Sequence, residues 1–358
     1  MELCSVVSAC HMGLRNMTCI GFADTTPVAE NYAAVEMTAI SEEDWPIAPR
    51  RVSVVALQIL FLRERRIVIK YLGRLGMRVA SACVLVSGVV IPVVAQTAAP
   101  APRPAPVPGK IPRHVLVIGQ TKGFEHDSVS DAMVAIFEMG RESGLWETML
   151  RTDTERITKK KADRNTKNLD YFDAVVFTST TGELDLDDEQ KAALLSFVHD
   201  DGKGYVGVHA AIDTFYKWPE YGKMTGGWFD QHPWMTFNAP IRNEGGDFPA
   251  TRHFPAEFHK FDEIYQAKDW SRSDVNVLLS LDPSKLDYNN PRVHRQDHDF
   301  AVAWAKDYGK GRVFYSTLGH TNEAWKDPDI RKMYFEAVKW ALGMTEGSTA
   351  SHAALPAK

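Results

Sequence analysis

Three histidines each stand just behind a short apolar run: His126 after residues 115–119, His209 after 204–208 and His320 after 312–318. If those runs are strands of an open α/β sheet, the positions just past their carboxyl ends are where such sheets bind ligands. A fourth histidine follows from pairing. Residues 300–305 and 312–318 flank Tyr308-Gly309-Lys310-Gly311, a turn sequence that predicts an antiparallel hairpin, and a hairpin turning around Gly309 sets His298 beside His320. His232, in His232-Pro233-Trp234, is a candidate to close over the same edge and touch substrate. Imidazole titrates near about pH 6.5, so such a cluster moves protons at neutral pH or binds a borderline divalent metal such as zinc. The spacings form no local chelate of the His-Glu-x-x-His kind, so a metal set of His126, His209, His298 and His320 rests on convergence alone. Taken singly, each histidine reads better as a helix-end or hydrogen-bonding residue; it is the four together that point to chemistry.

Two carboxylates accompany them. Asp213 lies four residues after His209 and, if a helix begins there, meets the imidazole and orients it; Glu323, three residues beyond His320, repeats the arrangement. His209, Asp213, His320 and Glu323 are therefore the catalytic candidates, with helix capping as the plain alternative for both acids. Thr121 and Lys122 occupy a polar loop suited to substrate contact. Tyr216, Trp218, Tyr221, Trp228 and Trp234 suit stacking on sugar faces, although packing of their segment against the sheet is the commoner reason for such residues. Lys122, Trp218, Trp234 and His232 are taken as the substrate-binding candidates.

The elements that must position these residues alternate short apolar strands with amphipathic helices, which predicts a mostly parallel sheet covered on both faces. Strands are expected at 115–119, 146–150, 173–177, 204–208, 300–305 and 312–318, and helices at 130–143, 187–200 and 328–342. Residues 213–260, rich in Trp, Pro, Gly and His, break the pattern and read as a long insertion of the kind that shapes a site.

Upstream, residues 77–95 read as a signal peptide. Arg74 and Arg78 precede the apolar run 79–94, which ends in Val93-Val94-Ala95, so cleavage leaves Gln96 first. The run falls short of the ~20 residues of a spanning helix and contains Pro92, so no stable membrane span is expected in the mature form. A signal belongs at a start codon, which makes Met77 a candidate initiator and residues 1–76 an upstream extension or arm. Residues 96–113, dominated by Ala and Pro, are a tether, 114–343 the folded domain, and 344–358 a disordered tail. All four cysteines, Cys4, Cys10, Cys19 and Cys83, precede the expected cleavage site, which leaves the mature domain without disulfides, thiolate zinc ligands or a cysteine nucleophile. The net charge of −5 is spread over both signs and the one basic run, 159–164, is a solvated segment, so no nucleic-acid partner is expected. A periplasmic or secreted protein follows.

The segments from Gln120 to Ser128, from Gly207 to Thr214 with Trp218-Pro219, His232-Pro233 and Leu318-Gly319-His320-Thr321 together resemble the ThuA-like domain associated with trehalose utilisation, over nearly all of residues 114–343. The resemblance implies a class I glutamine amidotransferase-like fold, an α/β flavodoxin-like three-layer sandwich, in which His209 stands at the turn where those enzymes keep a nucleophilic cysteine. Glutamine hydrolysis through a thioester needs that thiolate, so amidotransferase activity is not expected. Two positions depart from the family pattern: Glu125, where a basic residue is expected, and Asp299, where proline often follows the histidine. The resemblance further implies a 3-keto-glycoside substrate, supplied by a partner sugar dehydrogenase, with histidine as base and a divalent metal or second imidazole polarising the ketone. No nucleotide cofactor is expected. Two other readings compete. A glycoside hydrolase using Asp213, Glu220 or Glu323 needs two acids about 5 to 9.5 Å apart. A non-catalytic sugar-binding module would use the aromatic insertion alone.

Overall fold

The computed structural model describes residues 112–161 and 166–356. The expected extension, the signal peptide and all but the last two residues of the tether lie outside the described residues. From Arg113 the chain runs β1 (Arg113–Ile118), α1 (Val129–Ser143), β2 (Trp146–Arg151), β3 (Ala174–Thr178), α2 (Asp188–His199) and β4 (Gly204–Val208). These strands read as continuous apolar runs because helices cover both of their faces; every residue of β3 and β4 is buried. Helix α1 buries Ala132, Met133, Ile136 and Met139 at helical spacing and stops at Gly144, which takes a left-handed φ of 67°. Helix α2 opens with a reciprocal capping box between Asp187 and Gln190.

The segment from Asp213 to Phe300 is the insertion, longer than the 213–260 expected. It holds a short helix α3 (Pro219–Thr225), then β5 (Trp228–Gln231), β6 (Thr236–Asn243), β7 (Glu257–Glu263), β8 (Gln266–Lys268) and β9 (Asn276–Leu281). The chain returns through β10 (Ala301–Tyr308) and β11 (Gly311–Ser316) and closes with α4 (Pro328–Ala341), which starts on proline and ends at Gly343. The β10–β11 hairpin turns where the sequence predicts, with Tyr308 opposite Gly311.

Nine strands form one sheet in the order β2-β1-β3-β4-β11-β10-β9-β6-β7, and β5 pairs with β8 apart from it. The five strands from β2 to β11 are parallel, in the flavodoxin-like order, and the remaining four are antiparallel. One face carries α1 and α4 over Val115, Val117, Val176 and Val206; the other carries α2 and α3 over Leu116, Val175, Phe177 and Tyr205. The result is a three-layer α/β sandwich. Gly204 is required for the closeness of these layers, because a Cβ there would meet the Ala341 carbonyl oxygen at 2.5 Å.

Two features bear on the site. Only Ile241 to Asn243 of β6 pair with β9, so the rest of the β6–β7 hairpin overhangs the carboxyl edge of the sheet. Second, residues 344–356 are not a loose tail as expected. They run along β9, with Asn276 donating to the Ser348 carbonyl at 2.6 Å, His352 Nε2 to that of Val277 at 2.9 Å and Arg242 to that of Pro356 at 2.9 Å. Among the described residues no helix is long and apolar enough to cross a membrane.

Candidate metal centre

Four side chains converge at the carboxyl edge of β1, β4 and β11: His126, His209, Glu263 and His320, with one ligand atom from each all within 4.8 Å of one another. His209 Nε2 stands 3.2 Å from His126 Nε2 and 3.1 Å from His320 Nδ1. Glu263 Oε2 is 3.6 Å from His209 Nε2 and 3.3 Å from His320 Nδ1. Four of the six donor pairs thus stand 3.1–3.6 Å apart, within reach of one ion whose ligands lie about 2.0–2.1 Å from it. Three imidazoles and a carboxylate suit zinc or a neighbouring first-row divalent ion.

Each donor is held by its own stretch of backbone. His209 follows β4 at a sharp turn in the left-handed region, φ 44°, a conformation that costs a non-glycine residue energy and that recurs at functional turns. Its Nδ1 lies 2.6 Å from the Thr317 carbonyl oxygen, which can only accept, so Nδ1 carries the proton and Nε2 presents its lone pair to the cluster. Tyr315 also donates to the His209 carbonyl at 2.7 Å. The loop carrying His320 is clamped by the buried carboxylate of Asp262, which accepts from the backbone of Gly319 at 2.7 Å and of His320 at 3.0 Å. Ser128 donates to the Gly319 carbonyl at 2.9 Å and ties this loop to the one bearing His126. Glu263 ends β7 and arrives with the overhanging hairpin. Tyr265, just beyond it, packs against His209 with the rings tilted by 40° and their centroids 4.4 Å apart.

Burial sets the protonation states. It pushes His126 down to about 4, with His320 and His232 adding to the effect, and pushes His209 well below the usual histidine range, aided by His126 and His320. His320 is lowered by burial and then by His232. All three rings are therefore neutral near pH 7 and offer lone pairs. Burial raises Glu263 to about 7, with Asp262 beside it adding to the shift, and raises Asp262 to about 7 against its backbone hydrogen bonds.

Of the residues singled out from the sequence, His126, His209 and His320 meet as expected. His232 reaches the group's border, its Nδ1 3.5 Å from Glu263 Oε1 and its side chain 28% exposed. His298 does not join. The chain leaves the ladder ahead of β10, where the β9 pairing is irregular at Ala301, and Asp299 is drawn into a double hydrogen bond with Arg272, so His298 stacks instead on Tyr288 at 4.0 Å. Asp213 does not orient His209. Residues His209–Ile212 form a 3-10 turn rather than an α-helix, and Asp213 accepts from Tyr216 at 2.5 Å while Thr317 takes the orienting role. Glu323 lies exposed at the cavity mouth, 3.7 Å from Lys326 and without a bond to His320. Lys122 pairs with Asp185 at 2.6 Å. Trp218 is buried against Phe215 and Tyr221, and Trp234 packs on Phe300 and donates to the Asp287 carbonyl; both serve packing. Glu263 is the donor the sequence does not reveal, because residues 257–263 carry apolar side chains only at Phe258 and Phe261, three apart, and so lack the alternation that marks a strand.

The family model described as trehalose utilisation, ThuA, matches residues 114–341. Among solved structures, a protein from Bacteroides uniformis described as ThuA-like is 24% identical, with a TM-score of 0.52 over 65% of this chain and 92% of its own. A second so described, from Parabacteroides merdae, is 18% identical, with a TM-score of 0.52 over 68% of this chain and 98% of its own. A glutamine amidotransferase from Thermotoga maritima is matched at 13% identity and a TM-score of 0.37, over 65% of this chain and 99% of its own. The likeness to the two ThuA-like structures is one of fold. No curated protein matches the chain. With the family model spanning the whole sheet and all four converging donors, the chain belongs to the trehalose utilisation (ThuA) family.

Proposed function

We propose that this protein is exported and cleaves a 3-keto-glycoside by elimination and hydration, after a sugar dehydrogenase has oxidised the substrate. The observation that carries the reading is the meeting of three neutral imidazoles and Glu263 at the edge where this sheet class binds ligands. A divalent ion such as zinc held by His126, His209, Glu263 and His320 would act there as a Lewis acid on the C3 ketone. The ketone acidifies the hydrogen on C2. Fully buried His209, with its lone pair turned into the cluster, suits a ligand rather than the base. His232 suits the base: its ring is half-buried, its pKa is lowered by burial so that it is neutral near pH 7, and it borders Glu263. His232 removes the C2 proton and passes it to the departing glycosidic oxygen as the C1–C2 double bond forms, and in the hydration step it takes a proton from the water and returns it to C2. Water then adds at C1 to give the free 3-keto sugar.

The full chain, analysed for metal by mass spectrometry and assayed on 3-keto-trehalose and trehalose in parallel, tests this. Near-stoichiometric metal and turnover of the keto form alone are expected. His209→Ala loses metal and activity together, whereas His232→Ala keeps metal and loses about 10²–10⁴-fold in kcat. Full turnover by His209→Ala, or equal turnover of unoxidised trehalose, would overturn the reading.

A further inference from the structure

Beside the histidines opens a cavity of about 280 Å³, with His126 and His320 in its wall. Its other walls come from the loop after β1 and the loop after β11. Phe124 contributes a large apolar ring that is 67% exposed and stands edge-on to His126 at 4.8 Å. The backbone that carries the ring is held in place: Thr181 Oγ1 donates to the Phe124 carbonyl at 2.8 Å and accepts from the Gly123 amide at 3.2 Å. Exposed Glu125, Asp127 and Glu323 bring carboxylates to the rim, and no lysine or arginine lines it. Among the described residues Glu125 and Asp127 have no ion-pair partner, and Glu323 has only the loose contact with Lys326. Buried behind this wall, two polar atoms lack partners among the described residues: Nδ1 of His126, a residue only 5% exposed, and Oδ1 of Asn322.

An exposed aromatic face beside a ring of hydrogen-bond acceptors matches one ligand chemistry. The apolar face of a pyranose covers the aromatic ring while its hydroxyls donate outward to carboxylates. The volume sits at the floor of the roughly 300–1,000 Å³ of small-molecule sites, which gives room for one ring, not two. A rim of acids without cations repels a ligand that carries its own negative charge. We propose that this cavity is a subsite for one uncharged pyranose ring stacked on Phe124, and that Glu125 and Asp127 make it reject anionic sugars. The subsite rests on the carbohydrate reading above, and it assigns Phe124, not the insertion tryptophans, to sugar contact.

Binding to the full chain is measured by calorimetry or ligand-observed NMR with D-glucose, D-glucuronate and glucose 6-phosphate, so that no turnover is needed. Glucose is expected to bind, with the two anions about tenfold weaker at low salt and the gap narrowing at about 0.5 M salt as the rim is screened. Phe124→Ala weakens glucose about tenfold with metal content unchanged, and Phe124→Trp restores it. Glu125→Gln with Asp127→Asn narrows the gap between glucuronate and glucose. Equal binding of glucose and glucuronate, wild-type glucose affinity in Phe124→Ala, or no glucose binding at all overturns the proposal. The two readings part cleanly: selective glucose binding without 3-keto turnover sinks only the elimination chemistry, whereas keto-selective turnover with an indifferent Phe124 sinks only the subsite.

Discussion

Glu263 and His126 face the same centre but titrate far apart, near 7 and near 4, and the separation has a measurable sign. A divalent ion needs Glu263 as the carboxylate, so below about pH 7 it must displace a proton, whereas the imidazoles are already deprotonated. Metal affinity should therefore rise with pH up to about 7 and level off above it, falling by about tenfold per unit below as one proton is released per ion. Competition with a chromophoric chelator across that range measures the slope. In Glu263→Gln the affinity should be lower and the slope near pH 7 should vanish; an unchanged slope would assign the proton to another group.

At the level of elements, the strands and helices of the parallel half were legible because burial on both faces leaves unbroken apolar runs, and their ends fall within a residue or two of those expected. The three histidines were legible for the same reason, since a strand end needs only its own sequence to be placed. His298 and Glu263 were not, because each depends on where a chain goes after it leaves a ladder. The β10–β11 register holds, but extending it past Phe300 fails once Arg272 captures Asp299. Glu263 depends on the overhang of a hairpin whose pairing to β9 lasts three residues. The insertion tryptophans could be read either way from sequence, and packing decided: Trp218 sits between Phe215 and Tyr221 in the layer under α3. Trp218→Ala should cost about 3–5 kcal/mol in denaturant unfolding while glucose affinity in the folded protein is retained. A neutral effect on stability would return Trp218 to the candidates for sugar contact.

Over the whole domain the last residues finish what the insertion begins, because residues 344–356 supply acceptors that β6 and β9 lack from the sheet itself. Deleting everything after Thr345 strands the donors of buried Asn276 and Arg242 and should lower stability by about 2–4 kcal/mol, read as a shift in Tm, with metal content unchanged. A truncated chain that melts with the wild type would show the tail to be passive. The four donors of the centre come from the loops after β1, β4 and β11 and from the end of β7, and His320 is reached only after the antiparallel extension has been laid down. During synthesis, a chain that stops anywhere before His320 holds an incomplete set of donors. An ion at this centre would therefore be taken up only after the whole domain has folded, and its occupancy would distinguish molecules whose folding is complete.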